Sequence, residues 1–322
     1  MSSLSDDIID KAISTIRGCG IDLDSIDTLY VVEGVLINEA PLRVGKGAGG
    51  LGEVDLPVIK LPDGRPYIPG SSIKGALRST AEALVRSSGG RACEPDPKGS
   101  EFNKCTLGAE LLTTLYYLLL TRNHDVLEDK EKLLRFIESR VLRKYSSSVN
   151  IEEVKNVLEG ELDKGDIEGL VKAIGEKFGP CIICQIFGNT SLASHVEILD
   201  AVPETNDLRI LTRTRVAIDR FRGAARSGAL FDFEYVPPGV RWRFKLIIKN
   251  IDLRKDGSKQ RLLKQLLKLL SLDVPGIPVG GMKSVGLGRI RLLGSETTVT
   301  GFKVRDFELR ETSRSKLEEV LE

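Results

Sequence analysis

Apolar residues recur every three to four positions in some stretches and every second position in others, and the switching between these rhythms divides the chain into elements. Residues 4–17 carry helical spacing and stop at Gly18-Cys19-Gly20. Residues 28–40 (TLYVVEGVLINEA) alternate and are rich in β-branched side chains, which predicts a strand. A loop dense in glycine follows, with Gly45, Gly47, Gly49, Gly50 and Gly52, then an extended run over 54–60 and the turn Pro62-Asp63-Gly64. Next, IPGSSIKGALRST at 68–80 sets a Pro-Gly break and two serines before an amphipathic helix that runs to about Arg86. Beyond it the pattern turns wholly helical, at 108–121, 128–142 and 151–178, and ends at GPCIICQIFGN.

Extended sequence returns at 194–201. An arginine-rich stretch over 208–231 predicts a long hairpin or protruding loop, and strands at 229–236 and 241–250 flank Pro237-Pro238-Gly239. A strongly periodic helix at 260–272 and the loop VPGIPVGGMKSVGLG lead to a strand at 289–293. Strand, helix, strand, strand, helix, strand is the ferredoxin-like order, shared with the RNA recognition module. The expected fold is therefore α+β: an RRM-like core from 28–86 and 194–299, interrupted by a helical insertion over 87–193. Residues 1–27 form an N-terminal helical extension and 300–322 a C-terminal one.

Composition adds limits. With 322 residues, 41% hydrophobic and 29% charged, the chain has room for a sizeable core, and no apolar run is long enough to cross a bilayer. The first twenty residues lack the basic start and apolar block of a signal peptide, so a cytoplasmic protein is expected. A net charge of +1 hides an asymmetry: residues 207–291 hold 19 Lys and Arg against 7 Asp and Glu. A polyanion would meet that half of the chain, although a block of one sign also serves solubility.

Four places carry candidate chemistry. At 68–80 free backbone N–H groups and the hydroxyls of Ser71 and Ser72 would converge at a helix start, with Lys74 and Arg78 one turn apart beside them. That is an anion site, or else an ordinary capped surface helix. Cys93 and Cys105 enter the insertion and Cys181 and Cys184 leave it as a C-x₂-C pair, a set that would hold structural zinc; buried thiols and disulfides are the alternatives. Cys19 stands apart, as a core residue. GKGAGG matches G-x-G-x-x-G at Gly45, Gly47 and Gly50, but extended sequence rather than a helix follows it, so a dinucleotide site is excluded. Lying along a sugar-phosphate chain remains open to that loop, with Lys46 as its charge. His124 and His195, the only histidines, have no evident triad partners. Asp55 is one loop carboxylate among several.

Three motifs in order, PYIPGSSIKGALRS, VAIDRFRGAARSGALFDFEYVPPG and VGGMKSVGLGRI, closely resemble the RAMP superfamily of CRISPR-associated proteins, above all the repeated backbone subunit of type III (Csm-like) effector complexes. One departure is Pro278-Val279-Gly280 where the family carries glycine, apolar, glycine; Gly286-Leu287-Gly288 keeps the second such triplet. The resemblance implies an RRM-like subunit that assembles with copies of itself and other type III subunits along guide CRISPR RNA. It implies a thumb hairpin within 203–229 that brings Arg213, Arg215, Arg220 and Arg222 to guide and target RNA. It also implies guide contacts from Lys46, Ser71, Ser72, Lys74, Arg78 and Lys283. Asp55 matches the family's loop aspartate, which cleaves target RNA with a divalent metal such as magnesium or manganese. A purely structural RNA-binding subunit is the main alternative, and a guide-processing endonuclease acting alone is a weaker one that the scarcity of histidine opposes.

Overall fold

The computed structural model describes residues 5–48, 54–93, 100–273 and 276–322. Leu4, Gly49, Gly50 and Gly52, the residues 94–99 after the first long helix, and Val274 and Pro275 of the late loop lie outside the described residues. In chain order the first elements are α1 (Asp6–Gly18), β1 (Thr28–Asn38), α2 (Gly70–Ser87), α3 (Ser100–Leu120) and α4 (His124–Leu127). Then come α5 (Lys130–Ile137), a π-turn leading into α6 (Arg143–Tyr145), α7 (Ile151–Asp163), α8 (Ile167–Lys177) and α9 (Ile182–Phe187). Extended elements follow: β2 (Val196–Ile198), β3 (Val202–Pro203), β4 (Leu211–Asp219), β5 (Ala224–Tyr235) and β6 (Arg241–Lys249). The chain ends with α10 (Ser258–Ser271), β7 (Ile277–Pro278), β8 (Arg289–Leu292), β9 (Thr298–Arg305), β10 (Glu308–Lys316) and α11 (Leu317–Leu321).

Two compact units divide these elements, Met1–Asp27 with Glu82–Val196, and Thr28–Ala81 with Glu197–Glu322. The first is helical. Its core forms because the apolar positions three and four apart close onto one another: Ile9, Ala12 and Ile16 of α1 are buried, as are Leu158 and Leu162 of α7 and Leu170, Val171 and Ile174 of α8. α3 supplies Leu107, Leu111, Leu112, Leu115, Leu118 and Leu119, so it is covered on most of its circumference. Each such side chain contributes roughly 1.5–3 kcal/mol by leaving water. Helix starts are defined by local acceptors, Asp129 taking the Lys132 N–H at the head of α5 and Asn150 that of Glu153 at the head of α7. Both histidines are accounted for here: His195 is buried with Nε2 2.6 Å from Asp22 Oδ1, and His124 lies on the surface one turn from Glu128.

The second unit is a mixed α+β structure around an antiparallel sheet whose centre is β1. On one side β1 pairs with β6 from Leu29↔Lys249 to Ile37↔Arg241; on the other it pairs with β9 over Thr28–Glu33 and with β8 over Leu36–Asn38. β10 pairs outside β9, and β2 and β3 lie beyond β6. Trp242 is fully buried and donates its indole N–H to Asn38, whose amide in turn donates to the carbonyls of Ala40 and Pro237, so a buried amide is satisfied at the strand end. At the other end of β1, Tyr30 donates to Asp252. Burial, with that bond, pushes Tyr30 up to about 12; burial alone would raise Asp252, but Arg254 and Tyr30 hold it down at about 2. The inner face of α10 is Leu262, Leu263, Leu266, Leu267 and Leu270.

Several expectations change. Residues 54–60 form isolated bridges to three different segments, because Pro57 and the turn after it interrupt any continuous ladder. Residues 208–236 make one hairpin, β4 with β5, joined at Asp219↔Ala224. The strand foreseen at 194–201 shrinks to β2, and the C-terminal extension holds a full hairpin, β9–β10, that widens the sheet.

Candidate nucleic-acid interface and metal centre

Around the early glycine loop, short extended segments are laced together. Leu42 exchanges both backbone hydrogen bonds with Val236; the Ile59 N–H donates to the Val44 carbonyl and the Lys46 N–H to that of Pro57. Leu42, Val44 and Val58 are buried, so alternation turns Arg43 and Gly45 the other way, and Lys46, beyond the last buried position, is exposed. Leu56 pairs in parallel with Phe233 of β5, its N–H donating to the Asp232 carbonyl and its carbonyl accepting from the Glu234 N–H. Asp55 is thereby fixed at the root of the β4–β5 hairpin. It is exposed, and its Oδ2 accepts the Asp232 backbone N–H at 2.8 Å.

The late glycine loop folds over the same framework. Gly281 donates its N–H to the Arg43 carbonyl and Gly288 donates to that of Pro41. At Gly280 the backbone takes φ +82°, and a Cβ there would lie 2.2 Å from the Arg43 carbonyl oxygen, so only glycine fits. Pro278 is the one position of this triplet that departs from glycine, apolar, glycine, and Gly280 keeps its glycine. Lys283 opens a single exposed 3-10 turn two residues beyond Gly281. Lys46, Asp55 and Lys283 thus stand on one hydrogen-bonded framework.

Sequence reasoning missed two members of it. Arg43 donates from Nε to the Leu56 carbonyl, and burial lowers it from the ordinary arginine range. Its one signal is a charge between two apolar positions of an alternating run, Leu42 and Val44. Glu234 accepts the Val58 N–H at 2.9 Å and the Lys60 ammonium at 3.0 Å; nothing in the sequence marks it.

At the start of α2 the expected convergence of free N–H groups is corrected. Gly70 is the first helical residue and its N–H donates to Asp200 at 2.8 Å, while the Ser72 and Ile73 N–H groups donate to the Pro69 carbonyl. The anion at that dipole end is the protein's own carboxylate. Ser71 and Ser72 lie inside the first turn, not before it. Ile73, Leu77 and Ala81 are buried, whereas Ser71, Lys74, Gly75 and Arg78 share the more open face. Partial burial pushes the Lys74 ammonium below its ordinary range, and Arg78 adds to the shift. Gly75 is unusual: a Cβ there would meet nothing within 4 Å, so packing does not require glycine in mid-helix.

The hairpin arginines separate into two pairs. Arg213 lies over the Tyr235 ring at 5.1 Å and Arg215 over the buried Phe233 ring at 5.2 Å, so both guanidinium groups are held on the root of the hairpin near the Asp55 anchor. Arg220 and Arg222 sit at the far turn on either side of a fully exposed Phe221, and Asp219 accepts the N–H groups of Phe221 and Arg222 to shape that turn. These two are not brought to the framework.

In the helical unit Cys93, Cys105, Cys181 and Cys184 are all buried, and their sulfurs lie within 4.8 Å of one another. All five cysteines are free; Cys19 is half-buried against the helical core. Cys93 Sγ is 3.3 Å from Cys184 Sγ and 3.6 Å from Cys181 Sγ. Four thiolates around zinc at about 2.3 Å stand about 3.8 Å apart, so the donor set fits a closed tetrahedral site. The Cys181 N–H points at Cys105 Sγ, 3.4 Å away, the kind of bond that steadies a thiolate. Hydrogen bonds within the cluster push the Cys93 thiol up and draw that of Cys181 down. Around Asp55, by contrast, no group of three metal-ligating side chains exists among the described residues. A hard divalent cation held there by one carboxylate would take its remaining ligands from phosphate and water.

A family model for the RAMP superfamily matches residues 39–291, a stretch holding every interface residue named above and the four clustered cysteines. No curated protein matches the chain.

Proposed function

The chain belongs to the RAMP superfamily of CRISPR-associated, RNA-binding proteins, and on that footing we propose that it is the repeated backbone subunit of a type III effector complex, one that holds guide RNA by its phosphates and cuts complementary target RNA through Asp55. The order β1, α2, β2–β3, β6, α10, β8, with β1 between β6 and β8, supports a ferredoxin-like core of the RRM kind. The observation that carries the functional reading is the framework itself, whose hydrogen bonds tie the loops bearing Lys46 and Lys283 to the segment that carries a carboxylate rooted to the hairpin.

Cations and hydroxyls that meet phosphates fix a strand's position without reading its bases, as a subunit that accepts any guide requires. The open face of α2, with Ser71, Lys74 and Arg78, and the two glycine loops fit that task. Cleavage needs a ribose 2′-oxygen in line with the adjacent phosphorus. Asp55 accepts the 2′-OH proton, the 2′-oxygen bonds to phosphorus and the bond to the 5′-oxygen breaks, leaving a cyclic phosphate and, once the departing oxygen takes a proton from water, a 5′-hydroxyl. Asp55 is also the residue that would hold a divalent cation, which would supply positive charge to offset the negative charge developing on the reacting phosphate. Asp55 keeps its aim because Oδ2 is tied to the Asp232 N–H.

Asp55→Ala in the reconstituted complex tests this. RNA binding is retained and regularly spaced, metal-dependent cutting falls by at least a hundredfold; undiminished cutting would sink the reading. That no group of three metal-ligating side chains includes Asp55 among the described residues favours, as the other outcome, a structural subunit whose wild type cuts nothing with magnesium or manganese.

A further inference from the structure

Glu234 is the least expected feature of the framework. It sits on β5, the hairpin strand, yet its carboxylate is spent on the loop that carries Asp55: one oxygen accepts the Val58 N–H at 2.9 Å, the other the Lys60 ammonium at 3.0 Å. The Glu234 side chain is only 15% exposed, so its bond to the Val58 N–H is partly shielded from competing water, while the Lys60 ammonium reaches it from the surface. Its backbone joins in, the Glu234 N–H donating to the Leu56 carbonyl. Two residues earlier on the same strand, Asp232 gives its N–H to Asp55 and its carbonyl to Leu56. Between them, Asp232 and Glu234 hold residues 55–60 from the hairpin at both backbone and side-chain level, while residues 43–46 bind the same segment from the other chain stretch.

We propose that Glu234 is a positioning residue that locks the Asp55 loop to the β4–β5 hairpin, so that the hairpin decides which phosphate of the target is cut. The inference rests on Asp55 being the cleaving group. Its physical content is geometric. An in-line displacement tolerates little misplacement, a shift of about 1 Å costing on the order of a hundredfold, and a carboxylate on a loop tied only to itself would serve neighbouring phosphates nearly alike. Tied to the hairpin, it is held at a set distance from whatever nucleotide the hairpin engages.

The test maps product ends at nucleotide resolution in the reconstituted complex for wild type, Asp55→Ala, Glu234→Ala, Glu234→Gln and Lys60→Gln. Glu234→Ala is expected to lower kcat on the order of ten- to a hundredfold, to leave target affinity within about twofold because no phosphate contact is removed, and to spread cutting to adjacent phosphates. Glu234→Gln keeps an acceptor for the Val58 N–H and restores the single position; Lys60→Gln gives a smaller spread. Amide exchange in the isolated chain reads the lock without cleavage, with faster exchange at Val58 and Asp232 in Glu234→Ala. If Glu234→Ala does not assemble, the contrast between Lys60→Gln and wild type decides. Wild-type position and rate in Glu234→Ala, with Asp55→Ala inactive, overturn this inference alone. Undiminished cutting by Asp55→Ala, or no cutting by wild type, overturns the assignment of Asp55 and this inference with it.

Discussion

Gly75 is the residue whose chemistry is most economical to test. A glycine in mid-helix costs about 1 kcal/mol relative to alanine, and, the adjoining helix aside, none of the described residues comes within 4 Å of where a Cβ at Gly75 would lie. A ligand that lies against the helix does need that space. Gly75→Ala should therefore raise the stability of the isolated chain by roughly 0.5–1 kcal/mol while weakening guide RNA several-fold, read from denaturant midpoints and from binding at one fixed salt concentration. Unchanged RNA affinity would move the guide off this face. Residues of this sort were only partly legible. Asp55, Lys46 and Lys283 stand out by sitting in glycine-rich or Pro-flanked loops, but Arg43 and Glu234 act through partners far away in the chain, and no spacing rule reports a bond between positions 58 and 234. At α2 the run Pro-Gly-Ser-Ser reads as an open anion site, and no spacing in the sequence shows that Asp200, far away in the chain, takes the Gly70 N–H there.

Among elements, those written in a single local rhythm were read correctly: β1, β6, α10 and the helices between Ile151 and Lys177. Those that depend on a partner were not. Residues 54–60 look extended and are, but they divide their bonds among three segments; β10, with the polar sequence ELRETSRSK, carries no apolar alternation and becomes a strand only because β9 is beside it. The short helix α9 belongs with this second group. Six residues make a marginal helix, and its place depends on Cys181 at its cap and Cys184 within it meeting Cys93 and Cys105. Protein prepared without chelator should carry about one zinc per chain. Stripping the metal, or Cys184→Ser, should lower the melting temperature by about 10 °C, followed by calorimetry with elemental analysis on the same sample. Substoichiometric metal with unchanged melting would return the cluster to buried thiols.

For the whole molecule, the deciding feature is the position of β1. It is the first strand of the chain and the centre of the sheet, yet its partners β6, β8 and β9 are all encoded beyond residue 240. The helical unit is different, since its last residue is Val196. Pulse-labelled refolding should accordingly protect amides of α3 and α8 before those of β1, and simultaneous protection would contradict this ordering. On a ribosome adding ~5–20 residues per second, β1 waits on the order of ten to fifty seconds before β9 arrives. Until β6 is made, late in that interval, its Tyr30, Val32 and Leu36, all buried in the finished sheet, lack every strand that pairs with them there. Production of this subunit then depends on its nascent chain being shielded, and co-expressed holding chaperones should raise its soluble yield more than slower transcription does.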